Sequence, residues 1–167
     1  PDGSLYNCQS VPALTGNQTQ RDWLFRVNPT DPFGYYGHPN PLRGEYVLNR
    51  GPLDEADYPA SITPDANYRG AAFDFEFNKS PNGIIEYRSP GNLQVAMLVC
   101  RYSGGSDLIA LVPDGPNGDI NTFKIGIPGF TGFDDPLDLT EDLNTGILYV
   151  SDNGRSQIVL LKPAANA

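Results

Sequence analysis

Three segments of the sequence repeat one local pattern, an Asx-Gly turn or its extended form running into alternating apolar residues. They are Asp2-Gly3-Ser4-Leu5-Tyr6, Asn82-Gly83-Ile84-Ile85-Glu86-Tyr87 and Asn144-Thr145-Gly146-Ile147-Leu148-Tyr149-Val150. The turn supplies the positive φ that a tight hairpin needs, and the alternation gives each strand one apolar face. The third copy continues through Ser151-Asp152-Asn153-Gly154-Arg155-Ser156 into Gln157-Ile158-Val159-Leu160-Leu161-Lys162, a strand, a turn and a strand. The pattern predicts an all-β, antiparallel fold. Composition agrees, because 18 Gly and 16 Pro interrupt any long helix, while 39 % hydrophobic residues suffice for a packed core.

The glycines of the three copies, Gly3, Gly83 and Gly146, stand 80 and 63 residues apart. That irregular step suits the blades of a β-propeller carrying long insertions better than a tight repeat of about forty residues. Trp23 to Val27 reads as an outer strand, so residues 1–27 make a partial blade. Residues 28–69 are rich in Pro and Gly and read as a long inter-blade loop, with a short hairpin at Glu45 to Leu48. Residues 70–112 hold four strands in series, Ala71 to Phe77, Gly83 to Arg88, Leu93 to Tyr102 and Asp107 to Val112, a complete blade. Residues 113–163 give a last blade from 120–125, 136–140, 146–151 and 157–162, and 164–167 are a tail. Two full four-stranded blades and part of a third do not close a ring, since propellers need at least four blades. The expected partners are therefore the remaining blades of the same propeller or other copies of the chain.

A net charge of −9 repels phosphate backbones and anionic lipid heads, so nucleic-acid and membrane-surface binding are not expected, and no apolar run approaches the roughly 20 residues that span a bilayer, so membrane insertion is not expected either. Asn17-Gln18-Thr19 and Asn78-Lys79-Ser80 are acceptor patterns for N-glycosylation at Asn17 and Asn78, whereas Pro29 blocks Asn28-Pro29-Thr30. With the low Lys content they point to a secreted or surface-exposed glycoprotein. The opening turn, Pro1-Asp2-Gly3, is expected of a processed or partial chain. Cys8 and Cys100 are either two buried thiols or a disulfide closing a loop of about ninety residues, worth on the order of 4 kcal/mol.

Three strings, Gly34-Tyr35-Tyr36-Gly37-His38-Pro39-Asn40-Pro41, Cys100-Arg101-Tyr102-Ser103-Gly104-Gly105-Ser106-Asp107, and Asp134-Asp135-Pro136-Leu137-Asp138-Leu139-Thr140 continuing to Tyr149-Val150-Ser151-Asp152, resemble the C-terminal part of glucose/sorbosone dehydrogenase-like proteins. These are secreted β-propellers related to the soluble quinoprotein sugar dehydrogenases, and the resemblance covers most of residues 1–163. Pro136 to Leu161 also looks like an NHL-type repeat. The resemblance implies a portion of a six-bladed ring that holds pyrroloquinoline quinone (PQQ) and Ca2+ on its axis and oxidises a sugar by hydride transfer. The family's general base is a histidine of an earlier blade with no counterpart here. His38 falls in a structural segment, so no catalytic residue is carried over, and the chain alone is expected to be inactive.

A quinone with three carboxylates calls for guanidinium groups, and Arg101, at the end of an apolar strand, is the first candidate; Arg69 and Arg155 follow. The alternative for each is a surface or inter-strand ion pair. Calcium takes clustered oxygen ligands, which Asp114, Asn117 and Asp119, or Asp134 and Asp135, would offer; the same residues are ordinary turn formers. Glu141-Asp142 reads as a solvated approach to a hairpin. Tyr35, Tyr36, Tyr46, Tyr58 and Tyr68 offer stacking surfaces for sugar rings or a protein partner, or plug the underside of the long loop. No Gly-x-Ser-x-Gly elbow is present, and no carboxylate pair is singled out for a glycosidase. The two functions left are a quinoprotein-like sugar oxidoreductase and a non-catalytic extracellular module for binding, structure or assembly.

Overall fold

The computed structural model describes residues 5–10, 21–34, 36, 67 and 69–164. Of these, residues 5–10, Arg21 and Asn117 are described as backbone alone. Among them the only helical element is one 3-10 turn, Pro116–Gly118, and the rest of the regular structure is antiparallel sheet. The expected all-β class is what is found. The chain divides into two compact units, Pro1–Asn78 and Lys79–Ala167.

In the first unit β1 (Leu5–Ser10), β2 (Arg21–Val27) and β3 (Phe73–Phe77) form a three-stranded meander in chain order. Asp22, Trp23, Leu24 and Phe25 of β2 are all buried, so this strand is covered on both faces. The β2–β3 register slips between Arg21 and Trp23, where Glu76 takes a positive φ of 69°. That is a β-bulge, the extra residue bending the edge strand. The start of the expected long loop is locally built: the Asn28 side chain accepts from Thr30 N–H at 3.0 Å, and Asn28 N–H donates to the Tyr36 hydroxyl at 3.0 Å. The expected hairpin at 45–48 and Tyr35, Tyr46, Tyr58, Tyr68 and His38 lie outside the described residues.

The second unit holds two meanders. One has the order β4 (Pro81–Glu86), β5 (Met97–Arg101), β6 (Asp107–Val112), β7 (Thr122–Lys124); the other β8 (Pro136–Glu141), β9 (Leu148–Asp152), β10 (Gln157–Leu161). The strand sets therefore differ from those expected. Phe73–Phe77 pairs with β2 rather than opening the set from 70 to 112, and Thr122–Lys124 is the fourth strand of the earlier sheet rather than the first of the last. Hydrophobic alternation marks a strand but not its partner, which long-range packing decides.

The two meanders share one register. Pro81 pairs Arg101 and Glu86 pairs Met97; Pro136 pairs Asp152 and Glu141 pairs Leu148. Met97 and Arg101 pair Leu111 and Asp107, as Leu148 and Asp152 pair Leu161 and Gln157. Each first strand carries its irregularity just after its proline. Each second hairpin ends in a left-handed serine, Ser106 at φ 47° and Ser156 at φ 49°. The repeat thus steps 55 residues from Pro81 to Pro136 and 50 from Asp107 to Gln157. The turn-based alignment of Gly83 with Gly146 is corrected: Gly83 lies inside a first strand, Gly146 before a second strand.

One core joins the sheets. Leu98, Cys100, Leu108 and Ala110, from one face of β5 and β6, pack with Leu139, Leu148 and Val150 of β8 and β9, sealed by Phe130 and Phe133 of the connecting loop. Several of these side chains are fully buried, each contributing roughly 1.5–3 kcal/mol. The opposite face of β5 and β6, with Met97, Val99, Ile109 and Leu111, is buried as well. The first strands β4 and β8 lie alongside each other. A Cβ built on Gly83 would stand 2.6 Å from Asp138 Cα and 3.1 Å from Leu139 N, so the approach of β8 requires glycine there.

Candidate functional site

The side chains with chemistry gather at the two ends of the second unit's sheets. At the hairpin end of β5–β6, Arg101 donates to Asp107 twice, Nε to Oδ1 at 2.7 Å and Nη2 to Oδ2 at 2.6 Å. Their register partnership across the β5–β6 ladder places them opposite each other, and side-chain exposures of 15 % and 9 % exclude most solvent. This is the bidentate fork of a guanidinium and a carboxylate. Gly105 lies against it, since a Cβ there would stand 2.6 Å from Asp107 Oδ1 and 2.7 Å from Arg101 Nε. The first cofactor candidate is thus engaged as an inter-strand ion pair.

At the equivalent end of β9–β10 the polarity is exchanged. Asp152, fully buried, sits in the register position of Arg101. Its Oδ1 accepts from Asp134 N–H at 2.7 Å, and its Oδ2 accepts from Gln157 Nε2 at 3.1 Å and Arg155 Nη1 at 3.4 Å. Arg155 Nη1 also donates to the Gly132 carbonyl at 2.6 Å. Arg69, in the first unit, donates through Nε to Asp31 at 2.8 Å, a bond that holds the Asp31 carboxyl below the usual range. All three candidate arginines are therefore engaged by carboxylates of the fold.

The acidic loops carry turn bonds. Asp114 accepts from the Thr122 hydroxyl and from the N–H groups of Asn121 and Thr122. The Thr122 hydroxyl, then these N–H groups, lower its pKa. The Asp119 carbonyl accepts from Gly115 N–H at 2.8 Å; the carbonyls of Asp134 and Asp135 accept from Gly154 at 2.7 Å and Asn153 at 3.1 Å. The Asn117 side chain lies outside the described residues. Among the described residues no group of three or more His, Cys, Asp or Glu side chains is placed to hold a metal ion. In this structure the three arginines are engaged by carboxylates, and Asp114 and the backbone carbonyls of Asp119, Asp134 and Asp135 by turn bonds.

Asn78 is exposed, with a left-handed backbone at φ 54°, while Asn17 lies outside the described residues. Cys100 is fully buried in β5; the Cys8 side chain lies outside the described residues. No described helix is long and apolar enough to cross a membrane.

The opposite end of the sheets holds a junction that sequence reasoning missed. Glu141 accepts from Arg88 N–H at 2.9 Å and Ser89 N–H at 2.8 Å, one through each carboxylate oxygen. Burial pushes its pKa up, but bonds from Ser89 and Arg88 and the charge of Arg88 outweigh it and leave the carboxyl below its ordinary range. It is a clamp rather than a solvated hairpin approach. Beside it the buried Tyr87 hydroxyl donates to the Gly146 carbonyl at 3.1 Å, and burial, then the Glu141 charge, raises the phenol pKa. An open groove of about 530 Å³ adjoins this junction, walled by Ser89 and Pro90, the loop from Leu143 to Ile147, and Lys162 to Ala164. Nothing in the sequence sets Glu141 apart from the chain's other acids, because its partners are backbone N–H groups brought to it by long-range packing.

No family model, curated protein or solved structure matches the chain.

Proposed function

We propose that this chain is a blade-bearing portion of an extracellular β-propeller that works as a non-catalytic module for binding or assembly. The observation that carries the reading is the engagement of Arg101: the residue best suited to a carboxylate-rich cofactor spends two donors on Asp107 and closes a hairpin. The repeated meander supports the propeller architecture, with two sheets in one register, first strands side by side and a shared core between their faces. Sugar oxidation rests on the resemblance alone. A carbohydrate or peptide ligand would find its polar contacts in the groove beside Glu141, where Ser89, Asn144, Thr145 and Lys162 converge.

The test is a dye-reduction assay of the 167-residue protein with PQQ, Ca2+ and a panel of aldoses, run beside Arg101→Ala. The expected result is no quinone-dependent reduction, with Arg101→Ala lowering the melting temperature. Reduction that requires both quinone and Ca2+ and is lost in a folded Arg101→Ala protein would return the oxidoreductase reading.

A further inference from the structure

Each sheet of the second unit has two faces, and the shared register matches them position by position. In β5–β6 the cross-strand pairs Leu98–Ala110 and Cys100–Leu108 make a first face, and Met97–Leu111 and Val99–Ile109 a second. The equivalents in β9–β10 are Tyr149–Leu160 and Ser151–Ile158 on the first face, and Leu148–Leu161 and Val150–Val159 on the second. The core of this unit is the first face of β5–β6 packed on the second face of β8–β10. Such a contact is heterologous: each sheet offers one face and receives on the other, and the operation does not end after one step.

The first face of β9–β10 is built for the next step. Leu98, Cys100, Leu108 and Ala110 are buried, whereas at the equivalent positions Ile158 and Leu160 are 59 % and 49 % exposed and Tyr149 and Ser151 are half-buried. A solvated face of an antiparallel sheet turns polar, but here two consecutive cross-strand pairs present aliphatic side chains. The second faces of the unit are already engaged: Met97, Val99, Ile109 and Leu111 are buried, and Val159 and Leu161 pack on the core. A second copy of this unit therefore has no matching face to offer. In this unit the covering sheet, β8–β10, follows the covered one in sequence.

We infer that Tyr149, Ser151, Ile158 and Leu160 receive the aliphatic second face of a further meander of the same repeat, one that follows β10 in a longer polypeptide. The inference rests on the propeller reading. It fails separately from the absence of catalysis, since its test needs neither quinone nor sugar.

Hydroxyl-radical labelling, read residue by residue by mass spectrometry, compares the 167-residue protein with a tandem in which Pro113 to Lys162 is repeated directly after Lys162. The added segment matches the 50-residue step from Asp107 to Gln157 and brings its own β7 to β10. In the 167-residue protein Ile158 and Leu160 are expected to label, while the fully buried Leu98 and Leu108 resist. In the tandem the original Ile158 and Leu160 are expected to fall to the level of Leu98 and Leu108. Val150→Asp in the added segment alone spoils its second face and is expected to restore their labelling. Ile158 and Leu160 that resist in the 167-residue protein at every concentration are covered by this chain itself, which overturns the inference. Protection that grows with protein concentration assigns the face to a second copy and overturns it too. Labelling unchanged by the added segment, or protection that survives Val150→Asp there, overturns it equally.

Discussion

The meanders β4–β7 and β8–β10 follow one register with different chemistry at the same positions. Where the first closes its hairpin with Arg101 and Asp107, the second places Asp152 and Gln157 and adds Arg155 from the turn. The proline, the register irregularity and the left-handed serine are common to both. Backbone devices therefore set the pairing, while the buried polar group at the hairpin end is free to change provided its charge finds donors or acceptors. The sheets also differ in cover: β5 and β6 are buried on both faces, whereas β8–β10 exposes Leu137, Ile158 and Leu160. A repeat unit that buries one face on its neighbour leaves the other face and the last edge for the next unit.

The sharpest way to break the comparison is at the hairpin ends. Asp152→Ala leaves Asp134 N–H and the Gln157 amide without their carboxylate acceptor in a fully buried place, and is expected to cost about 3–4 kcal/mol by urea denaturation. Arg101→Ala strands the Asp107 carboxylate, which is only 7 % exposed, at about 3 kcal/mol. If polarity is interchangeable, replacing both members, Arg101→Met with Asp107→Leu, should recover most of that loss. A double variant as unstable as the single one would mean that the ion pair itself, rather than satisfaction of a buried charge, holds this hairpin.

A smaller effect tests the close approach of the first strands. Gly83→Val drives a side chain into the Asp138 backbone, and overpacking of this kind costs about 1–3 kcal/mol. The equivalent place in the second sheet, Asp138, already carries a side chain, so Asp138→Val is expected to shift the melting temperature far less. Equal losses at the two positions would remove the case for first strands packed side by side only between these two sheets.

Much of this was legible. The apolar runs Met97–Cys100 and Leu108–Val112, separated by Gly104-Gly105, mark β5 and β6 in any reading, and the β9–β10 hairpin follows from Asn153-Gly154 between two alternating strands. The repeat was harder to see. Turn glycines draw the eye to Gly83 and Gly146, but the structural equivalents are Pro81 and Pro136, and these emerge only once pairing is known. Arg101 stands out at the end of an apolar strand, but its partner Asp107 lies six positions on, across a hairpin whose register only the pairing shows. Asp152 and Glu141 gave the weakest signal, because in a chain with many acids a buried carboxylate looks like a turn former until burial is measured.

The smallest effect concerns the clamp at the other end of the sheets. Glu141 titrates below its ordinary range because Arg88 and Ser89 donate to the carboxylate against the cost of burial. A carboxyl whose folded pKa is depressed adds stability that is complete above its unfolded pKa and lost as pH falls through the lowered folded value. Glu141→Gln should therefore destabilise the protein at neutral pH by about 1 kcal/mol, discounted for partial exposure. The difference from wild type should shrink as the solution is acidified below the ordinary glutamate range and vanish once the wild-type carboxyl is protonated. Because the Glu141 charge also raises the Tyr87 phenol, the same substitution should lower that pKa in a phenolate absorbance titration, though burial keeps it above that of a free tyrosine. A stability difference that persists unchanged into acid would assign Glu141 a packing role rather than one that depends on its charge.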